Sequence, residues 1–298
     1  MVGRAWFPNT LWMRQTEAMG DTKALTPEQV KQFAEQGFIA PINALSVEEA
    51  AQARAQLERH EASLGHPLGP GQRSKPHYLF TWVDALMRNE RILDAVEDLI
   101  GPNLLCWGTI FWIKEAGSPS YVGWHQDMQY WGLETDNLVN VWLALSPAST
   151  ESGCMSVLPG SHLEQLDHIE TYHDDNMLSR GQELTVDVGS RSPVAMPLEP
   201  GQISIHNGRL AHGSGPNSTD DRRIGLSLQY MPTSTKQNLI DWDTAPLVRG
   251  VDEYGHFEHG PAPQEDMHPD AVAFHARAVA ALRELIYIGA ERDVTPTV

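Results

Sequence analysis

Arg222-Arg223-Ile224-Gly225-Leu226-Ser227-Leu228-Gln229-Tyr230 alternates without a break, with Arg223, Gly225, Ser227 and Gln229 on one face and Ile224, Leu226 and Leu228 on the other. Successive side chains of a strand point to opposite faces, so this stretch reads as a β-strand with one mixed and one apolar face. A second run behaves alike: Asn140, Trp142, Ala144 and Ser146 share a face opposite Val139, Val141, Leu143 and Leu145. Residues 104–113, 122–127, 154–158 and 202–206 extend the pattern. Many short strands without strand–helix–strand alternation predict a mainly β barrel or jelly roll rather than a doubly wound parallel sheet.

Helices flank these strands. Thr26-Pro27-Glu28-Gln29 and Ser46-Val47-Glu48-Glu49 are capping boxes, opening helices that run to Gly37 and to near Gly65. Residues 86–100 place Leu86, Leu93, Val96 and Ile100 on one stripe before Gly101-Pro102, and residues 271–288 do the same with Val272, Ala276, Val279, Leu282 and Ile286. Residues 66–75 read as a loop. Residues 160–200 are polar, acidic and interrupted by proline, and an unbroken loop of that length is often an active-site lid. With no internal repeat or low-complexity linker, a single domain over residues 1–298 is expected, with 1–22 flexible and 160–200 a lid or insert.

The 298 residues carry 39 acidic against 21 basic side chains, a net charge of −18. That excess, with no Lys/Arg cluster, argues against nucleic acid as a partner. Two cysteines, Cys106 and Cys154, are too few for a disulfide framework. The first 25 residues lack the apolar core of a signal peptide, and no run approaches membrane-spanning length, so a soluble cytoplasmic protein is expected.

Thirteen histidines are many for this length. Six form His-x-Asp/Glu pairs: His125/Asp127, His162/Glu164, His168/Glu170, His173/Asp175, His256/Glu258 and His268/Asp270. On a strand such a pair shares a face and can chelate a metal, yet chance alone supplies roughly two. Five lie in polar or Pro/Gly-punctuated stretches, where solvated surface is the plainer reading. His125 and Asp127 lie in the strand-like Val122-Gly123-Trp124-His125-Gln126-Asp127, with Tyr130 and Trp131 close behind. His212, ending an apolar run and followed by Gly213 and Gly215, is the candidate third ligand, with His206 its competitor. Two histidines and a carboxylate with open positions suit a non-haem Fe(II) oxygenase, although zinc accepts the same ligand types. Arg223, on a strand face with small neighbours, offers a guanidinium fork to a carboxylate.

Trp124-His125-Gln126-Asp127 and His212-Gly213-Ser214-Gly215-Pro216-Asn217-Ser218, with Arg223 eleven residues after His212, resemble the phytanoyl-CoA dioxygenase family of Fe(II)- and 2-oxoglutarate-dependent oxygenases. The resemblance covers roughly residues 26–235 and includes Gly153-Cys154 to Gly160-Ser161-His162. It implies a double-stranded β-helix (a cupin-like jelly roll) with N- and C-terminal supporting helices. It further implies that His125, Asp127 and His212 hold iron, and that Arg223 pairs with the distal carboxylate of 2-oxoglutarate. Ser214, Gln126 and Trp142 fall where the family makes further co-substrate contacts, and Lys75, His77 and Lys114 are candidates for an upstream one. Asp127 stands where halogenating relatives carry a small residue, so the expected reaction with O2 is hydroxylation, releasing succinate and CO2. The family's substrates range from acyl-CoA thioesters to small solutes. Without a basic groove for the phosphates of an acyl-CoA, a small polar or anionic metabolite is expected, such as a phosphonate, an amino-acid-like solute or a carboxylate. Lys114, His77, Arg180 and Arg209 could meet an anionic head group, and Tyr121, Tyr130 and Trp131 the rest. The rival readings are a cupin-type metalloenzyme without 2-oxoglutarate and a jelly-roll module that only binds a small ligand. Neither a nucleophile elbow, a P-loop nor a dinucleotide fingerprint is present.

Overall fold

The computed structural model describes residues 22–135 and 137–290. All of the expected flexible segment except residue 22 therefore lies outside the described residues. Twelve strands are described: β1 (Phe38–Asn43), β2 (Leu104–Lys114), β3 (Val122–His125), β4 (Val139–Ala144), β5 (Met155–Val157), β6 (His168–Glu170), β7 (Gln182–Leu184), β8 (Val194–Met196), β9 (Gln202–Asn207), β10 (His212–Ser214), β11 (Arg223–Pro232) and β12 (Leu247–Arg249). They form a six-stranded sheet in the order β1-β9-β4-β11-β2-β12, a four-stranded sheet β3-β10-β5-β8 and a small hairpin β6-β7, with every pairing antiparallel. The expected mainly β jelly roll with supporting helices is the fold observed.

The alternation in β4 and β11 does the sorting. Val139, Val141 and Leu143 of β4, Ile203 and Ile205 of β9, and Ile224, Leu226 and Leu228 of β11 all point to one side, where they join Phe33, Leu57, Ile92 and Val96 from the N-terminal helices in the main core. Each such fully buried aliphatic side chain contributes about 1.5–3 kcal/mol. The opposite face carries Asn140 and Trp142, then Arg223, Gly225, Ser227 and Gln229, and register sets Ser227 beside Trp142 and Gln229 beside Asn140. Gly225 is a packing requirement, because a Cβ there would run into the Trp142 indole. This second face looks into a cavity of about 440 Å³.

Both capping boxes form as expected. The Thr26 and Ser46 hydroxyls accept from the amides of Gln29 and Glu49, and the helices Pro27–Gln36 and Val47–Leu64 end at Gly37 and Gly65 in left-handed conformation. Four expectations need correction. The stripe over 86–100 is two helices, Thr81–Met87 and Glu90–Ile100, because the Asn89 side chain caps the second and separates it from the first. The 66–75 loop contains the short helix Pro70–Arg73. Residues 160–200 are not unbroken loop: they hold the β6-β7 hairpin and strand β8. His268 is no turn residue but the N-cap of the helix Pro269–Tyr287, accepting from the Asp270 amide. No helix among the described residues is long and apolar enough to cross a membrane.

Candidate active site

His125 closes β3 and His212 opens β10, and the two residues face each other across the β3-β10 pairing with ring centroids 4.3 Å apart. Each Nδ1 lies against the carbonyl two residues earlier: His125 Nδ1 at 2.8 Å from Gly123 O, His212 Nδ1 at 2.9 Å from Leu210 O. These carbonyls can only accept, so each Nδ1 carries the proton and each Nε2 presents a lone pair. Burial, with His125 alongside, pushes the His212 pKa down to about 3, which keeps its imidazole neutral.

Asp127 lies just past the end of β3, in the short turn Asp127–Gln129. The chelating spacing read from the sequence is therefore produced by a strand followed by a turn, not by one continuous strand. Its Oδ1 is 3.2 Å from His125 Nε2 and its Oδ2 is 3.9 Å from His212 Nε2. Asn140 Nδ2 donates to Oδ2 at 3.2 Å, and Ser227 Oγ in turn donates to Asn140 Oδ1 at 2.6 Å. Burial works against ionisation of this carboxyl, but coupling to the flanking His212 and His125 rings in their protonated forms outweighs it and holds the pKa below the usual carboxylate range, so the group is ionised at neutral pH. Three buried ligand atoms thus converge within 4.8 Å of one another. Two neutral imidazole lone pairs aimed at an ionised carboxylate repel unless a cation lies between them. The donor set and its orientation fit a divalent metal with open coordination positions. His206 is fully buried, its Nε2 is 3.9 Å from Asp127 Oδ2, and neither of its ring nitrogens has a hydrogen-bond partner among the described residues. It stands beside the triad, outside the converging group.

Arg223 opens β11 and is 2% exposed. Its Nη1 donates to Gly153 O at 2.9 Å, and its guanidinium lies 5.2 Å from the centroid of the Trp142 ring. Gly153 adopts φ +72°, and a Cβ there would strike the Gly215 and Pro216 carbonyls, so glycine is what this close approach permits. Nε and Nη2 of Arg223 are buried with no partner among the described residues. A buried donor left unsatisfied costs about 1–3 kcal/mol, which a carboxylate lying along the fork relieves. Burial brings the Arg223 pKa down to about 10, so the group stays charged at neutral pH. Lys114 sits directly opposite Arg223 in the β2-β11 pairing, and its Nζ donates to the Ser214 hydroxyl at 2.6 Å, to Ser214 O and to Gly215 O. Burial first, and the neighbouring Arg223 second, lower its pKa to about 7.

The cavity joins these groups. Its walls include His125, Asp127, His212, Ser214, Trp142 and Arg223, together with Tyr130 and Trp131. Other expected residues lie elsewhere. Gln126 does not line it: its Nε2 donates to the carbonyls of Ser161, Glu164 and Arg209 and its Oε1 accepts from the Leu166 amide, so it fastens loops together. His77 is buried behind β2 with Nδ1 2.8 Å from Thr109 Oγ1. Lys114 is committed to the Ser214–Gly215 turn beside Arg223 and is not among the cavity walls. Tyr121 turns its hydroxyl to Glu183, and Arg209 and Arg180 are not among the cavity walls. Lys75 does reach the cavity, but its ammonium is bound by Trp107 O and Thr244 with Asp243 3.6 Å away. His168, read as solvated, is instead half-buried and accepts from the Gln126 amide at 2.9 Å.

Sequence reasoning missed Arg73, Trp107, Met177, Leu178, Leu282 and Ile286, all of which line the cavity. Leu282 and Ile286 were visible only as one stripe of a helix, and nothing local tells which partner a stripe meets.

A family model of the phytanoyl-CoA dioxygenases matches residues 24–225. The chain belongs to the phytanoyl-CoA dioxygenase family. It is accordingly an enzyme of the non-haem iron, 2-oxoglutarate-dependent oxygenase class, with Fe(II) and 2-oxoglutarate as cofactors. Among curated proteins, one of Stutzerimonas stutzeri described as a "probable alpha-ketoglutarate-dependent hypophosphite dioxygenase" is 30% identical over 188 residues, spanning 61% of each chain. Rat peroxisomal phytanoyl-CoA dioxygenase is 27% identical over 248 residues, 72% of this chain and 71% of that one. Among solved structures, the apo form of the non-haem monooxygenase ThoJ superposes with a TM-score of 0.76 at 34% identity, covering 87% of this chain and 97% of that chain. CytC3 with Fe(II) and alpha-ketoglutarate matches at a TM-score of 0.58 and 24% identity over 79% of this chain and 93% of that one, a likeness of fold alone.

Proposed function

We propose that this chain, acting as a single catalytic domain, hydroxylates an unactivated carbon of a small polar metabolite. One 2-oxoglutarate and one O2 are consumed per turnover, one oxygen atom entering the product and the other the succinate released with CO2. The observation that carries this reading is the open guanidinium fork of Arg223, buried in the same cavity as His125, Asp127 and His212. A jelly-roll binding module, or a cupin-type metalloenzyme indifferent to 2-oxoglutarate, leaves that fork without a partner. The similarity to ThoJ, described as a non-haem monooxygenase, supports insertion of one oxygen atom.

In this reading His125 and His212 hold the metal through Nε2, and Asp127 does so through its carboxylate. Bound Fe(II), with 2-oxoglutarate and O2, supplies the oxidant for C–H cleavage. Arg223 takes the distal carboxylate bidentately, with Ser214 and Lys114 alongside, and Trp142 packs against the guanidinium. Asn140 and Ser227 keep the Asp127 carboxylate turned toward its partners. Tyr130, Trp131 and Trp107 exclude water from the reacting carbon. Support for a polar substrate comes from Ser118, Ser120, Gln182 and Gln229 in the cavity wall. An anionic head group now rests on Arg73 alone, since His77, Lys114, Arg180 and Arg209 are engaged elsewhere or face away.

The test is Fe(II)-dependent release of succinate from 2-oxoglutarate during a screen of small polar metabolites. Stimulation above the uncoupled background, with a mass gain of one oxygen in the metabolite, is the expected result. Succinate release indifferent to iron overturns the assignment.

A further inference from the structure

The hairpin β6-β7 carries the loop whose Met177, Leu178 and Ser179 form part of the cavity wall, and the last turns of the helix Pro269–Tyr287 carry Leu282 and Ile286 into the same wall. Arg180 lies between them and is 3% exposed. Its Nη1 donates to Glu170 Oε1 at 2.6 Å on β6. Its Nε donates to Ile286 O at 2.6 Å, and Nη2 donates to Ile286 O and to Ile288 O, the latter at 2.9 Å. The guanidinium also stacks 5.2 Å from the ring centroid of Tyr130, itself a wall residue. A second tie runs alongside, from the Tyr287 hydroxyl to Ser179 O at 3.3 Å. The carbonyls that Arg180 takes are those a helix leaves unsatisfied at its C-terminus, where a cation is also favoured by the helix dipole. At its other end the hairpin is held to the metal-binding segment by His168, which accepts from the Gln126 amide.

We propose that Arg180 is a positioning residue that locks the hairpin loop and the C-terminal helix end into one wall over the substrate side of the cavity, so that both segments open together when it lets go. The proposal rests on the 2-oxoglutarate oxygenase reading and deepens it: the substrate is enclosed by two segments about 106 positions apart in sequence, joined chiefly by the Arg180 side chain, with the Tyr287 hydroxyl alongside. Removing the guanidinium releases both of them, whereas a residue that merely stabilised the hairpin would leave the helix end undisturbed.

Hydrogen–deuterium exchange on the full chain, loaded anaerobically with Fe(II) and 2-oxoglutarate, tests this. In Arg180→Gln, exchange rises together in residues 171–181 and 283–288, by about tenfold or more, because several charge-assisted hydrogen bonds go at once. Affinity for 2-oxoglutarate, followed by titration, stays within about twofold of the parent, as expected of a residue outside the cavity walls. Arg180→Lys keeps the ion pair with Glu170 but cannot span Ile286 O and Ile288 O, so the helix end loosens while the hairpin stays protected. Tyr287→Phe retains the arginine and gives a smaller rise in the same two segments, which keeps the question answerable if Arg180→Gln does not fold. A rise confined to the hairpin in Arg180→Gln, or no rise in either variant, overturns the proposal. A loss of 2-oxoglutarate affinity as large as that of Arg223→Ala overturns it too, by assigning Arg180 to the co-substrate. Exchange is read without turnover, so a failed latch and a failed oxygenase reading give different results.

Discussion

Two arginines, Arg223 and Arg180, are buried to almost the same degree, at 2% and 3% exposure, and their surroundings are opposite. Arg180 spends its donors on Glu170 and on two helix-end carbonyls, and its pairing is complete within the protein. Arg223 has one bond to a carbonyl, an indole face beside it, and two donors aimed at nothing in the described chain. Burial alone therefore distinguishes neither a binding group nor a structural one. The unsatisfied donors do, since a buried donor without a partner is costly and a carboxylate along the fork relieves that cost.

The largest expected effect lies at the proposed metal ligands. Asp127→Ala removes a ligand and should lower Fe(II)-dependent succinate release by at least about 100-fold, with metal content measured in parallel. Full activity in that variant would detach the triad from the chemistry. Next, Arg223→Ala should weaken 2-oxoglutarate binding by about 100-fold in an anaerobic titration, with Arg223→Lys between it and the parent, because an ammonium offers charge without the fork. An unchanged titration curve would make Arg223 as structural as Arg180. Asn140→Ala leaves the Asp127 carboxylate without its amide donor and should reduce metal affinity by about tenfold, read by metal titration. The smallest effect belongs to Lys114. Its pKa of about 7 lies below the ordinary lysine value, and an incoming carboxylate favours its charged form and raises that pKa. Binding then takes up a proton, so the 2-oxoglutarate dissociation constant should rise as pH climbs above 7, by no more than about tenfold per unit. A flat profile from pH 6 to about 9 would separate Lys114 from the co-substrate.

Much of this was legible in short stretches of sequence. Many short strands without strand–helix–strand alternation pointed to a barrel or jelly roll, and the alternation in 139–146 and 222–230 showed which side of the sheet meets the core. His125, Asp127, His212 and Arg223 stood out through local spacing, and the structure brings all four to one cavity. The failures share a cause. The resemblance put Gln126 at a co-substrate contact; its side chain instead ties down the carbonyls of Ser161, Glu164 and Arg209. His77 and Arg180 offered charge without any hint of their distant partners: Thr109 lies more than 30 positions from His77, and Ile286 and Ile288 more than 100 from Arg180. Helix ends and loop contacts depend on tertiary placement, and no periodicity encodes it.

Strand β11 carries one more consequence. Arg223 and Ser227 lie on the same face, and Ser227 reaches Asp127 through Asn140. At about 3.3 Å per residue, the strand sets the fork and the carboxylate's support about 13 Å apart along its axis. It is thus a ruler as well as a scaffold, graduated in pleats, that fixes how long a dicarboxylate can be and still reach from guanidinium to metal. One residue inserted between 223 and 227 would turn one end of that ruler to the wrong side of the sheet.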